Sequence, residues 1–163
     1  PADPKLQTTI FNGFELRAAV APYTGGGYMH TTDDRTPVTF ITRYYLDKIK
    51  RLCDAHGTKL LFVTAPSPVN HTMQRHNEVQ ALADALAVPY LDLNLNTEEL
   101  GIDWNLDTLD GGDHLNYTGC QKATAYLQWY MQTHYTLPDR RDDVRYEAWN
   151  KQAEEFEKLL PQT

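Results

Sequence analysis

Apolar side chains recur at Ile41, Tyr45, Ile49, Leu52 and Cys53, the three-to-four-residue beat of a helix. Thr36 is placed to cap this helix, Pro37 suits its first position, and Gly57 suits its end. Leu60-Leu61-Phe62-Val63 is a continuous apolar run of strand length, closed by Ala65-Pro66-Ser67-Pro68. Such runs belong to strands covered on both faces of a parallel sheet. Helical spacing returns over residues 72–87, with Val79, Leu82, Ala83 and Leu86 facing inward. Tyr90-Leu91-Asp92-Leu93 then reads as a second buried strand. This helix-strand-helix-strand order predicts an α/β fold with a small parallel sheet.

A long connection follows from Asn94 to Leu115, with a short helical turn expected over residues 97–100. The spacing predicts a third helix over 116–134. Pro138 and the charged run 139–143 punctuate the chain. A final amphipathic helix is expected over 144–160, with Trp149, Ala153, Phe156 and Leu160 on one side. Residues 1–35 are the least regular. Ile10, Phe11, Phe14, Leu16 and Val20 suggest short strands around the Asn12-Gly13 turn signal. Gly25-Gly26-Gly27 interrupts them, and without a following Gly-Lys-Ser/Thr it reads as a loop and not a phosphate cradle. The expected organisation is therefore an irregular arm (1–35), an α/β portion (36–135) and a C-terminal helical extension (136–163).

Charge narrows the function. Among 163 residues, 15 Lys+Arg face 22 Asp+Glu, a formal net charge of −7. Without a basic stripe, such a chain is a poor nucleic-acid binder, because phosphate neutralisation dominates that affinity. No window approaches 18 apolar residues, the length a membrane span needs. Cys53 and Cys120 are too few for a disulfide framework or a thiolate zinc site, and read as packed free thiols. No metal or cofactor is expected.

Chemistry concentrates in residues 103–116, which hold four aspartates, one histidine and two glycines between a strand end and a helix start. In open α/β sheets that edge is where ligands bind. Asp103, Asn105 and Asp107 match the first positions of a calcium-binding EF-hand loop. Thr108 and His114, however, stand where its obligatory glycine and glutamate belong. A solvated loop in which Asp113 or Asn116 caps the next helix is a second reading. The third pairs His114 with a carboxylate for general-base catalysis, the glycines letting Asp110 fold back to the ring. The other histidines read as structural or solvated: His71 and His76 are five apart and share no helix face, His30 lies in the arm, and His56 and His134 lie at helix ends.

The block Asp110-Gly111-Gly112-Asp113-His114-Leu115-Asn116-Tyr117-Thr118-Gly119 resembles the last catalytic block of SGNH/GDSL-type hydrolases, an Asp, a short spacer, His-Leu-Asn and then Gly. Ala65-Pro66-Ser67-Pro68, Gly101-Ile102-Asp103-Trp104, Asp107-Thr108 and Leu137-Pro138-Asp139-Arg140-Arg141 add to a similarity with bacterial cell-surface SGNH-like acyl-transfer proteins. The likeness covers most of residues 10–158.

The resemblance implies a three-layer, flavodoxin-like arrangement with a reduced parallel sheet. It implies His114 as base, with Asp110 orienting it and Asp113 as the alternative acid. The usual family spacing puts the acid at the position of Gly111. Asp107, Trp104 and Asn116 are the candidate substrate contacts. The implied substrate is an acylated cell-surface carbohydrate or wall polymer, and a membrane-bound O-acyltransferase is the implied partner. The family's nucleophile block is not visible, and Ser67, flanked by prolines, is the sequence's one serine. The expectation is thus the C-terminal portion of an extracytoplasmic, membrane-anchored esterase or acyltransferase whose nucleophile and anchor precede Pro1, and which self-associates through an exposed sheet edge. The alternative is a non-catalytic domain of the same derivation that binds carbohydrate or protein.

Overall fold

The structure, a computed structural model, describes residues 14–160, which fall into two compact units. Residues 18–126 form the first. Its sheet is a parallel pair, β1 (Phe62–Thr64) and β2 (Tyr90–Asp92), in register Phe62 to Tyr90, Val63 to Leu91 and Thr64 to Asp92. Helix α1 (Phe40–Ala55) precedes β1, and α2 (Met73–Ala85) joins the two strands. Parallel strands need such a crossover, because a tight turn reverses the chain. A 3-10 turn, Leu93–Asn96, follows β2 directly, and α3 (Tyr117–His134) closes the order. The helix-strand alternation is therefore present, with a two-stranded parallel sheet. The core is small: Leu82, Ala83, Val88, Leu91, Leu93, Leu100 and Ala123 are its buried apolar residues.

The boundaries moved for local reasons. Thr39, not Thr36, caps α1, its hydroxyl accepting from the Thr42 amide at 3.1 Å. The Thr36 amide is committed instead to the Gln74 carbonyl. Gly57, at φ +63°, ends the helix as expected. β1 begins two residues late, at Phe62, because only Phe62–Thr64 have β2 alongside to pair with. The turn expected at 97–100 is present, the Leu100 amide donating to the Asn96 carbonyl, and it follows directly on the 3-10 turn Leu93–Asn96, which Asp92 caps through the Asn94 amide. Phe14 and Leu16–Val20 form no strand, and Ile10 to Gly13 lie outside the described residues.

The apolar stripe of α1 is exposed: Ile41, Tyr45, Ile49 and Leu52 all face solvent, and no residue of this helix is buried. α1 is held at its start through Glu78 of α2, a buried carboxylate that accepts from the Val38 amide and pairs with Arg43.

The second unit gathers, of the described residues, 14–17 and 127–160. Its helix α4 (Glu147–Glu157) starts later than the apolar pattern suggests. Val144–Tyr146 is a 3-10 turn capped by Asp143, whose carboxylate accepts from the Arg145 amide. Phe156 meets Phe14 edge-on, ring centroids 5.3 Å apart.

Candidate functional site

The segment 103–116 is shaped by one buried aspartate. Asp107 accepts from the Asp103 amide at 2.7 Å, from the Thr118 hydroxyl at 2.8 Å and from the Lys122 ammonium. Burial pushes its carboxyl up, but these donors outweigh burial and leave it below the usual range. Gly119, in the first turn of α3, lets the Asp107 backbone approach: a Cβ there would lie 2.4 Å from the Asp107 carbonyl oxygen. Asn116 caps α3, its Oδ1 accepting from the Gly119 amide, while its Nδ2 donates to the Leu106 and Ala19 carbonyls. Asp107 and Asn116 are 1% and 2% exposed. Both are buried and their polar atoms are engaged in building the loop, Asn116 as the helix cap that its position before α3 suggests. Asp103 accepts from the Asn105 amide and side chain through one carboxylate oxygen.

On this base Thr108 and Leu115 pair as an antiparallel bridge, and the Leu109 amide donates to the His114 carbonyl. Residues 109–114 stand out as a tight loop. Gly111 and Gly112 turn it at φ +76° and +101°, a backbone region that favours glycine. The turn brings Asp110 back over His114. One carboxylate oxygen accepts the His114 backbone amide at 2.7 Å, and the other lies 2.7 Å from ring Nδ1. Asp113 lies 3.7 Å from the same nitrogen, and its other oxygen accepts from Asn70. Of the two candidate acids, Asp110 is therefore the one that orients the ring.

The imidazole side chain is 66% exposed, and Nε2 makes no hydrogen bond among the described residues. The Asp110 hydrogen bond raises the His114 pKa above its ordinary value, against a small opposing effect of burial. Asp110 is lowered, first by the His114 amide and then by the ring.

Two further parts hold the loop. Ser67, after β1, donates from its hydroxyl to the Asp113 carbonyl at 2.8 Å, and its amide donates to Asn94 Oδ1. The arm runs along the other side: the Ala21 amide donates to the Thr108 carbonyl, the Gly111 amide to the Ala21 carbonyl, and the Tyr23 amide to the Trp104 carbonyl. Trp104 is half-buried, with Tyr23 and Tyr28 set edge-on to it.

Sequence spacing missed a second constellation. His71 Nε2 and His76 Nδ1 each lie 2.8 Å from one oxygen of Asp92, which also accepts from Tyr90 at 3.1 Å. The two histidines share no helix face because His71 precedes the cap Thr72. The loop before α2 nevertheless turns its ring onto the end of β2. Burial pushes Asp92 up, but the hydrogen bonds from His71 and Asn94 prevail and hold its carboxyl well below the usual carboxylate range. The donor atoms of this trio lie within 4.8 Å of one another, as do those of Asp110, Asp113 and His114, so each set is compact enough to surround a metal ion. In the first set both rings converge on one carboxylate oxygen, which makes it a buried clasp between β2 and α2.

No family model, curated protein or solved structure matches this chain.

Proposed function

We propose that this chain carries the general-base half of an SGNH-like acyl-transfer site, with His114 as the base and Asp110 as its orienting carboxylate. The observation that carries this reading is the exposed ring whose Nδ1 is held by Asp110 while Nε2 makes no hydrogen bond among the described residues. That tautomer suits the task. With Nδ1–H donating its hydrogen bond to the carboxylate, Nε2 keeps a lone pair for an incoming hydroxyl. Nε2 takes the hydroxyl proton as the oxygen attacks an acyl carbonyl, and the imidazolium then returns the proton to the departing alkoxide. Asp110 stabilises the imidazolium between these steps.

In this reading the hydroxyl comes from a serine outside the sequence, and the sheet is the reduced end of a three-layer fold. The substrate is an O-acyl ester of a cell-surface glycan or wall polymer. An extracytoplasmic setting beside a membrane-bound O-acyltransferase belongs to the same proposal. One observation favours the second reading, a binding domain without catalysis: the single serine, Ser67, is committed to the Asp113 carbonyl.

The test is ester hydrolysis by the gene product that carries this sequence, with p-nitrophenyl acetate and an O-acetylated glycan as substrates. His114→Ala should lower turnover by at least about 100-fold, the usual contribution of a positioned base. Unchanged turnover in that variant removes the catalytic reading.

A further inference from the structure

Beside the dyad's loop lies a cleft of about 450 Å³, within the size range of small-molecule sites. The arm residues Tyr23, Tyr28 and His30 line it together with Asn94, Thr97 and Trp104. Tyr23 and Tyr28 stand at 70° and 85° to Trp104, with centroids 6.1 and 5.9 Å away, so three rings form an aromatic corner. Polar atoms of its lining are fixed: the Tyr28 hydroxyl donates to Asn94 Oδ1 at 3.0 Å, and Asn94 is itself anchored by the Ala65 carbonyl and Asp92. Burial holds Tyr28 in its phenol form, so it remains a donor. No Asp, Glu, Lys or Arg lines the cleft.

We propose that this cleft binds an uncharged pyranose ring of a glycan. The chemistry follows from the lining. A sugar ring offers a face of polarised C–H bonds, which packs on the electron-rich face of an aromatic ring, and a rim of hydroxyls that needs neutral donors and acceptors. Aromatic bodies beside the Tyr28 hydroxyl oxygen, Thr97 and His30 provide both, while buried Asn94, its amide fully engaged, only fixes Tyr28 in place. An anionic polymer finds no Lys or Arg in the lining and meets a chain of net charge −7.

The cleft also borders the dyad's loop. Tyr23 packs so closely on Gly112 that a Cβ there would come within 2.8 Å of its ring, and Gly112 is two residues from His114. The ring-binding claim stands without catalysis, and only the presentation of a bound ester to His114 rests on the proposed function.

The test is ¹⁵N-edited NMR of the chain titrated with cellohexaose, xylohexaose, chitohexaose and mannohexaose, and with poly(glycerol phosphate) as the anionic comparison. Among the neutral sugars, at least one should shift the Trp104 indole resonance and show cross-peaks between sugar C–H protons and that indole. Trp104→Ala should weaken binding at least tenfold. Absence of shifts with every neutral sugar, undiminished binding by Trp104→Ala, or preference for poly(glycerol phosphate) would overturn the proposal. The cross-peaks keep it decidable should Trp104→Ala fold poorly. His114→Ala, by contrast, should leave the sugar shifts in place, so failure of the dyad and failure of the cleft are read separately.

Discussion

Asp110 holds His114 at two points with one carboxylate, the backbone amide on one oxygen and ring Nδ1 on the other, each at 2.7 Å. A carboxylate shared in this way fixes both the loop and the ring it carries, so removing its charge should change the base and not only its position.

The first prediction concerns that charge. Because Asp110 stabilises the imidazolium, His114 should titrate above its ordinary value of 6.5, and its neutral, proton-accepting form should appear only above the raised pKa. The acidic limb of any turnover profile should therefore lie above that value. Asp110→Asn should move both the limb and the NMR midpoint of the His114 ring protons downward. A midpoint indifferent to that substitution would mean the ring is not governed by Asp110.

Ser67 is expected to hold the loop and not to attack. Its hydroxyl is donated to the Asp113 carbonyl, so Ser67→Ala should cost about 1 kcal/mol in urea denaturation, the worth of one hydrogen bond. Turnover should stay within a few-fold of wild type. Complete loss of turnover in a folded Ser67→Ala protein would make Ser67 the nucleophile.

Gly119→Ala should reverse a familiar rule. Within a helix, alanine is ordinarily favoured over glycine by about 1 kcal/mol. Here the added Cβ would lie 2.4 Å from the Asp107 carbonyl oxygen and 3.1 Å from the Leu115 Cβ, so α3 or the site loop must shift. The expected loss is about 1–3 kcal/mol, the range for overpacking, with the His114 resonances displaced as the loop moves. A stabilised variant would refute this close approach.

The buried Asp92 clasp should appear as acid sensitivity. Its carboxyl is depressed in the folded state, so its contribution is fully present above the unfolded value of about 3.9 and is lost as pH falls below it. Asp92→Asn should be less stable at pH 7 by about 1–3 kcal/mol, as expected when buried donors lose an acceptor. It should also lose less of its remaining stability between pH 6 and pH 3. Equal acid sensitivity in both proteins would exclude Asp92 as the source.

Periodicity and turn residues made α1, β1, α2, β2 and α3 legible to within a few residues, because each signal is local: a cap, a glycine stop, an apolar run of set length. The pairing of His114 with Asp110 was legible for the same reason, four residues and two glycines apart. Asn116 was legible as the cap of α3 from its place before the helix, but the burial of Asp107 was not, because a polar residue in a loop reads as exposed. Only the fold shows Lys122, Thr118 and Leu106 supplying partners that permit burial. His71 and His76 were set aside on helix spacing, yet they meet at Asp92, on another element, a convergence that no spacing rule along one helix can reveal. The aromatic corner was equally hidden, since Tyr23, Tyr28 and Trp104 are separated by about half the chain.

The tether between Glu78 and the start of α1 has one more consequence. A helix that turns its apolar stripe outward draws little cohesion from the body beneath it, so its amides should exchange with deuterium through a local opening well below the global unfolding free energy. Glu78→Gln would weaken that mooring. Residues 40–55 would then become the first stretch a protease cuts, while the loop bearing His114, fastened by the arm and by Ser67, would stay closed.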